Sequence, residues 1–224
     1  MSTAPRTAPT VVLTHGAFTD GASWSPVALR LQGAGADVRV AAISNRGLAA
    51  DAAYVRSFVE RIDGPVVLVG HSYGATVVGV AGDAQNVVPL LFVSGYVLEE
   101  GESARDLHAR FPDAEAVPFF EYFPYPAPDG TAHVEVFVAA EEFPLLAPLG
   151  VPIDEAAVLA VTQRPLDAGV LTEPAPAAAW RGVPSWGIVA AQDRLINPDA
   201  VRYAYQRAGI RELVTVDGPH LLMH

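Results

Sequence analysis

A serine with glycine two residues away on either side stands at Gly70-His71-Ser72-Tyr73-Gly74. It follows Val66-Val67-Leu68-Val69, a β-branched run of the kind that a parallel sheet buries on both faces, and it opens onto a small-residue stretch, 74–84, that reads as a helix. Such a strand–turn–helix holds its serine in strained backbone geometry and lifts the hydroxyl above the sheet. It also leaves the first amides of the helix free to meet a developing oxyanion. The chemistry implied is attack by Ser72 on a carbonyl carbon.

A hydroxyl of that kind needs a base, and sheets built around this turn supply an acid and then a histidine further along the chain. Asp193 comes just after the apolar run Gly187-Ile-Val-Ala-Ala191, and His220 comes just after Leu213-Val-Thr-Val216. His220 is expected to take the Ser72 proton and pass it to the leaving group, with Asp193 holding the imidazole in the correct tautomer. Asp217 shares the short loop of His220 and is the less suitable alternative. His15-Gly16-Ala17-Phe18 follows the first strand, where a second oxyanion donor belongs. The amide of Ala17 is the favoured donor beside that of Tyr73, and His15 reads as a residue that holds the loop. Asn197 and Asp199 are better placed than Asp193 to cap the helix at Pro198. His71 is expected to pack beside the turn. His108, His133 and His224 share no ligand spacing, so no metal site is expected.

Absences narrow the chemistry further. The chain has no Cys and no Lys, so thiol nucleophiles, thiolate metal sites, Schiff bases and lysine-bearing phosphate loops are excluded. No cofactor is implied; Gly33-Ala34-Gly35 follows a helix and fails the dinucleotide pattern. Fourteen basic residues against 25 acidic ones give a net charge of −11, which argues against nucleic acid or an anionic membrane as partner. No apolar run approaches the ~20 residues needed to cross a bilayer, and the start, 1–10, shows no signal peptide, so the expected location is the cytoplasm.

The elements that must position these groups alternate along 224 residues. Strands are expected at 10–15, 37–43, 65–70, 87–94, 185–191 and 211–216, with helices at 25–33, 48–62, 74–84 and 198–208. That order predicts an α/β fold: a mostly parallel sheet of about six strands with helices on both faces and its chemistry at the carboxyl ends of the strands. Residues 97–181 break the alternation, holding 11 of 19 prolines and no convincing buried strand. Half of the Phe and Tyr residues, 8 of 16, lie between Phe111 and Phe143. Residues 1–96 and 182–224 are therefore expected to form the core, and 97–181 a lid whose aromatics turn down onto a pocket. Phe18, Tyr96, Phe119, Phe120 and Phe123 are the candidate substrate contacts.

With these residues in place the sequence resembles the α/β-hydrolase family. It looks most like small bacterial hydrolases with H-G-A-F near the start, G-H-S-Y-G at the turn, T-Q-R-P in the lid and D-G-x-H near the end, here at 15–18, 70–74, 162–165 and 217–220. The resemblance implies a triad of Ser72, Asp193 and His220 with Ala17 and Tyr73 as oxyanion donors, and a first strand equivalent to the family's third. It extends to plant methylesterases and hydroxynitrile lyases. The lyases use a Lys near the catalytic histidine, and its absence here argues against lyase chemistry. The family usually continues past that histidine into a helix packed on the sheet. Here the sequence stops at His224, so an apolar strip of sheet is expected to need cover, from a second copy of the chain or from further residues.

The expected function is a serine hydrolase acting on small apolar or aromatic carboxylic esters. Two alternatives stand beside it: a specialised pathway enzyme on the same scaffold (lactone opening, cyclisation or perhydrolysis) and a non-catalytic binder of small ligands.

Overall fold

The computed structural model describes residues 8–127, 130–146 and 151–224. Residues 1–7, most of the stretch in which a signal peptide would begin, lie outside the described residues, as do 128–129 and 147–150 of the expected lid.

Six strands form one parallel sheet: β1 (Thr10–Thr14), β2 (Val38–Ala41), β3 (Val66–His71), β4 (Val87–Val93), β8 (Ser185–Ala190) and β9 (Leu213–Val216). Their order across the sheet is β2-β1-β3-β4-β8-β9. The central strands are the β-branched runs, and Val66, Leu68, Leu90 and Phe92 are fully buried. Between the strands run α1 (Ser25–Gly33), α2 (Leu48–Glu60), α3 (Tyr73–Ala81) and α7 (Pro198–Arg207).

Local chemistry explains each helix. Pro26 sits in the first turn of α1. The buried face of α2 is Leu48, Asp51, Ala52, Val55 and Val59, the three-and-four spacing of an amphipathic helix. All nine residues of α3 are buried, and its small side chains let it lie close to the sheet. Asn197 caps α7 by accepting the Asp199 amide at 2.9 Å.

The Phe92 ring touches both α3, where a side chain at Gly79 would meet it at 3.7 Å, and α7, through Tyr205 at 6.1 Å between ring centroids. Those two helices therefore cover one face, and α2 packs beside α3. The crossover from β1 to β2 runs the other way across the sheet, so a right-handed connection puts α1 on the opposite face. On that face Trp186 and Ile188 are only half-buried, and Val214 and Val216 of the outermost strand are 44% and 38% exposed.

Between β4 and β8 the structure corrects the expectation of a strandless segment. A second, antiparallel sheet in the order β5-β6-β7 is built from β5 (Phe120–Pro126), β6 (Ala132–Val138) and β7 (Leu166–Asp167). Val136 and Val138 of β6 are each 1% exposed. Pro124 and Pro126 hide the strand in the sequence, yet β5 lies at the sheet edge, where a missing N–H leaves no ladder bond unmade. Three short helices accompany this sheet: α4 (Ala104–His108), α5 (Phe143–Leu146) and α6 (Ile153–Val161). Among the described residues no helix is long and apolar enough to cross a membrane.

Candidate active site

The turn after β3 is as tight as its sequence requires. Ser72 has φ 53° and ψ −125°, a positive φ that a residue with a side chain adopts only where its surroundings force it. A Cβ at Gly70 would lie 2.3 Å from the Gly74 carbonyl oxygen, and one at Gly74 would lie 2.4 Å from that of His15. Both glycines are thus fixed by backbone packed on backbone. Ser72 precedes α3, so the Tyr73 amide belongs to the first turn, whose N–H groups have no partner within the helix.

The loop after β1 comes from the other side. Phe18, with φ 62°, donates its amide to the Arg164 carbonyl at 2.9 Å. Gln163 next to it clamps β6, accepting from the Val138 amide at 3.0 Å and donating to the Val138 carbonyl at 2.8 Å. The Thr162–Pro165 motif thereby ties the loop of Ala17 to the second sheet. His15 donates Nδ1–H to the Gly16 carbonyl at 2.9 Å, and burial lowers its pKa, so it stays a neutral loop anchor.

His220 and Asp193 meet from neighbouring strand ends. The Nδ1–H of His220 donates to Asp193 Oδ2 at 2.6 Å, with the two side chains 2% and 1% exposed. The other carboxylate oxygen accepts the amides of Leu195 and Ile196, each at 2.9 Å, which stops the group from turning. Since a carboxylate can only accept, the proton sits on Nδ1 and leaves Nε2 of His220 unprotonated in the neutral ring. Asp217 instead accepts from Gln192 at 2.8 Å.

His71, immediately before Ser72, lies under this pair. Its Nε2–H donates to the His220 carbonyl at 2.9 Å, and the two rings are 4.7 Å apart. Burial first, then the neighbouring His220, depresses its pKa well below the usual histidine value.

Ala17, Phe18, Ser72, Tyr73, Tyr96 and His220 line one cavity of about 350 Å³, within the size range of small-molecule sites. Phe120 closes it from β5, its ring 5.7 Å from that of Phe18. Two expected contacts do not reach it. Phe119 and Phe123 are not among the lining residues; Phe123 is 48% exposed and stacks edge-on against Phe137 at 5.9 Å. Strand alternation is the reason: Phe120 and Tyr122 share one face of β5, and Phe123 points the other way. Tyr122 lines the cavity, although nothing in the sequence distinguishes it from the other aromatics of its segment.

Asp51 also escapes a reading by sequence. It is 2% exposed, accepts the Tyr73 hydroxyl at 2.9 Å on one oxygen, and accepts the Ser44 amide (2.8 Å) and hydroxyl (2.7 Å) on the other. Burial and then Asp51 push the Tyr73 hydroxyl far above its ordinary pKa. The side chain is thus a fixed proton donor that anchors the residue bearing the elbow amide. An acidic residue on the apolar face of α2 is the one sequence signal for it. His108 and His133 each pair with an aspartate, Asp113 at 2.9 Å and Asp167 at 2.7 Å. His224 approaches Glu155 at 3.4 Å.

Solved structures of the same shape include polyneuridine aldehyde esterase, with a TM-score of 0.81 at 15% identity over 96% of this chain and 94% of that one. A methylesterase from Arabidopsis gives 0.78 at 16% over 96% and 92%. A pyrethroid hydrolase from Sphingobium faniae gives 0.71 at 16% over 97% and 92%. At such identities the likeness is one of fold. A search of curated proteins found no match. The model of the Alpha/beta hydrolase family matches residues 11–224, and it is to this family that the chain belongs.

Proposed function

We propose that the protein is a serine hydrolase that cleaves carboxylic esters of small apolar or aromatic molecules. The observation that carries this reading is the buried 2.6 Å His220–Asp193 pair, whose histidine lines the same cavity as a serine held at positive φ. The Ser72 hydroxyl attacks the ester carbonyl carbon while His220 Nε2 removes its proton, and Asp193 stabilises the imidazolium that forms. The amides of Ala17 and Tyr73 receive the oxyanion of the tetrahedral intermediate. Collapse of that intermediate breaks the ester C–O bond, and His220 returns its proton to the departing alcohol. Water, deprotonated by His220, then releases the acid from Ser72.

The residues between β4 and β8 act in this reading as a lid over the core of 1–96 and 182–224. The Phe18–Phe120 contact and the tie between Arg164 and the Ala17 loop favour that role. Esterases and hydrolases among the solved structures of like shape agree with the reaction class.

A fluorophosphonate probe tests the claim directly. Native protein at neutral pH is expected to be labelled on Ser72, and Ser72→Ala to be unlabelled and inactive on aryl esters. Equal labelling of Ser72→Ala, or none of the native protein, overturns the assignment. A series of aryl esters of increasing acyl length then measures how much apolar surface the cavity accepts.

A further inference from the structure

The cavity holds a second polar relay that the reaction does not use. Tyr96 follows β4, is 8% exposed, and has its backbone pinned where the Thr76 hydroxyl of α3 donates to its carbonyl at 3.0 Å. Its own hydroxyl lies 3.1 Å from His108 Nδ1, and His108 Nε2 lies 2.9 Å from Asp113 Oδ1. All three side chains line the cavity that contains Ser72.

The direction of this chain of hydrogen bonds follows from its end. Asp113 is a carboxylate and can only accept, so the proton of the neutral imidazole sits on Nε2 and Nδ1 is left as an acceptor. Tyr96 must then donate its O–H to Nδ1, and burial keeps that proton in place by raising the tyrosine pKa. What remains on the phenol oxygen is acceptor capacity, at one wall of a cavity whose lining is mainly apolar but also includes Arg105. A buried acceptor with a fixed orientation is satisfied by a ligand that brings a donor and left unmatched by one that does not.

We propose that Tyr96 is a specificity-determining residue, set as an acceptor by His108 and Asp113, and that the favoured substrates are esters carrying a hydroxyl group on the part that reaches this wall. The proposal rests on the reading of Ser72 as an ester nucleophile. It adds to the apolar substrate class one polar requirement of defined sign: a donor is selected and an acceptor of the same size is rejected.

The test uses the whole protein with para-nitrophenyl esters of hydrocinnamic acid. The acid is taken unsubstituted, or with a hydroxyl or a methoxy group at the ortho, meta or para ring position, all in one mildly alkaline buffer. At one ring position the hydroxyl ester is expected to exceed both its methoxy partner and the unsubstituted ester by roughly tenfold in kcat/KM. Tyr96→Phe should bring those ratios close to one. His108→Leu frees the phenol to donate, so the preference of hydroxyl over methoxy should collapse at the same position. That variant sits at a partly exposed site and carries the test if Tyr96→Phe does not fold. Ratios that are equal in native protein and both variants, with Ser72 still labelled by fluorophosphonate, overturn the proposal while leaving the hydrolase reading intact. Failure of native protein to be labelled overturns both.

Discussion

At the carboxyl end of the sheet the His220–Asp193 pair spans 2.6 Å, with side chains 2% and 1% exposed. His108–Asp113, on the segment between β4 and β8, spans 2.9 Å with side chains 29% and 71% exposed. The residue types are the same and both histidines line one cavity; the surroundings are not the same. Asp193 gives its second oxygen to two backbone amides, so neither the carboxylate nor the imidazole it holds can turn. Asp113 stands mostly in water, where a hydrogen bond competes with solvent for its partners and adds only about 0.5–1.5 kcal/mol. Burial holds the Asp193–His220 contact rigid on all sides, whereas His108 is oriented from one side by an aspartate that solvent also reaches. In the proposed reading the pair at the strand ends moves protons, and the one at the cavity rim orients the Tyr96 hydroxyl.

The largest test of this contrast is to neutralise each acid in turn. Asp193→Asn is expected to lower kcat on an aryl ester by about 10⁴-fold, because an amide in that place favours the wrong imidazole tautomer. Asp113→Asn is expected to stay within about tenfold, since it touches only a hydrogen bond made in solvent. Similar losses in the two variants would erase the distinction.

A second test concerns the histidine beneath the buried pair. Burial holds the folded-state pKa values of His71 and His15 below the ordinary 6.5. The unfolded chain therefore binds protons that the folded one refuses as the pH drops below about 6.5, and stability must fall with it. Each histidine adds up to about 1.4 kcal/mol per pH unit to that slope, the limit reached when it is protonated only in the unfolded chain. Stability from urea unfolding between about pH 6.5 and 5.5 should show it, and His71→Gln should reduce the slope by one histidine's share. An unchanged slope would mean that His71 is protonated in the folded protein.

The smallest effect expected lies on β5. Phe120→Ala removes a wall of the cavity and should raise KM for aryl esters by about tenfold, the order expected for a buried aromatic contact. Phe123→Ala faces away and should leave KM within about twofold. Equal effects would show that the two faces of the strand are not distinguished during binding.

The central sheet is legible in residue types alone because its strands are short apolar runs bounded by turn residues, and those spell themselves out locally. The turn at Ser72 is legible for a similar reason: backbone contact dictates Gly70 and Gly74, so the sequence has no freedom there. Asp193 and His220 follow from their places after apolar runs. β5 and β6 do not, since the pairing that rescues Pro124 and Pro126 is a tertiary fact. Nor does Asp51, whose role depends on where Tyr73 and Ser44 arrive, or the His108–Asp113 contact, which depends on the path the chain takes after α4. Phe123 is misplaced by sequence because composition marks a segment as aromatic without saying which face of a strand each ring takes.

The hydrogen bond from His71 to the His220 carbonyl joins residues 149 positions apart. In the proposed reading the nucleophile turn therefore emerges during synthesis long before the group that activates it. A nascent or partly opened chain lacking the loop after β9 carries a serine with the reactivity of an ordinary alcohol. On that reading, acylation of the wrong molecule is restrained by the order in which the polypeptide is made, and chemical competence arrives together with the closing of the fold.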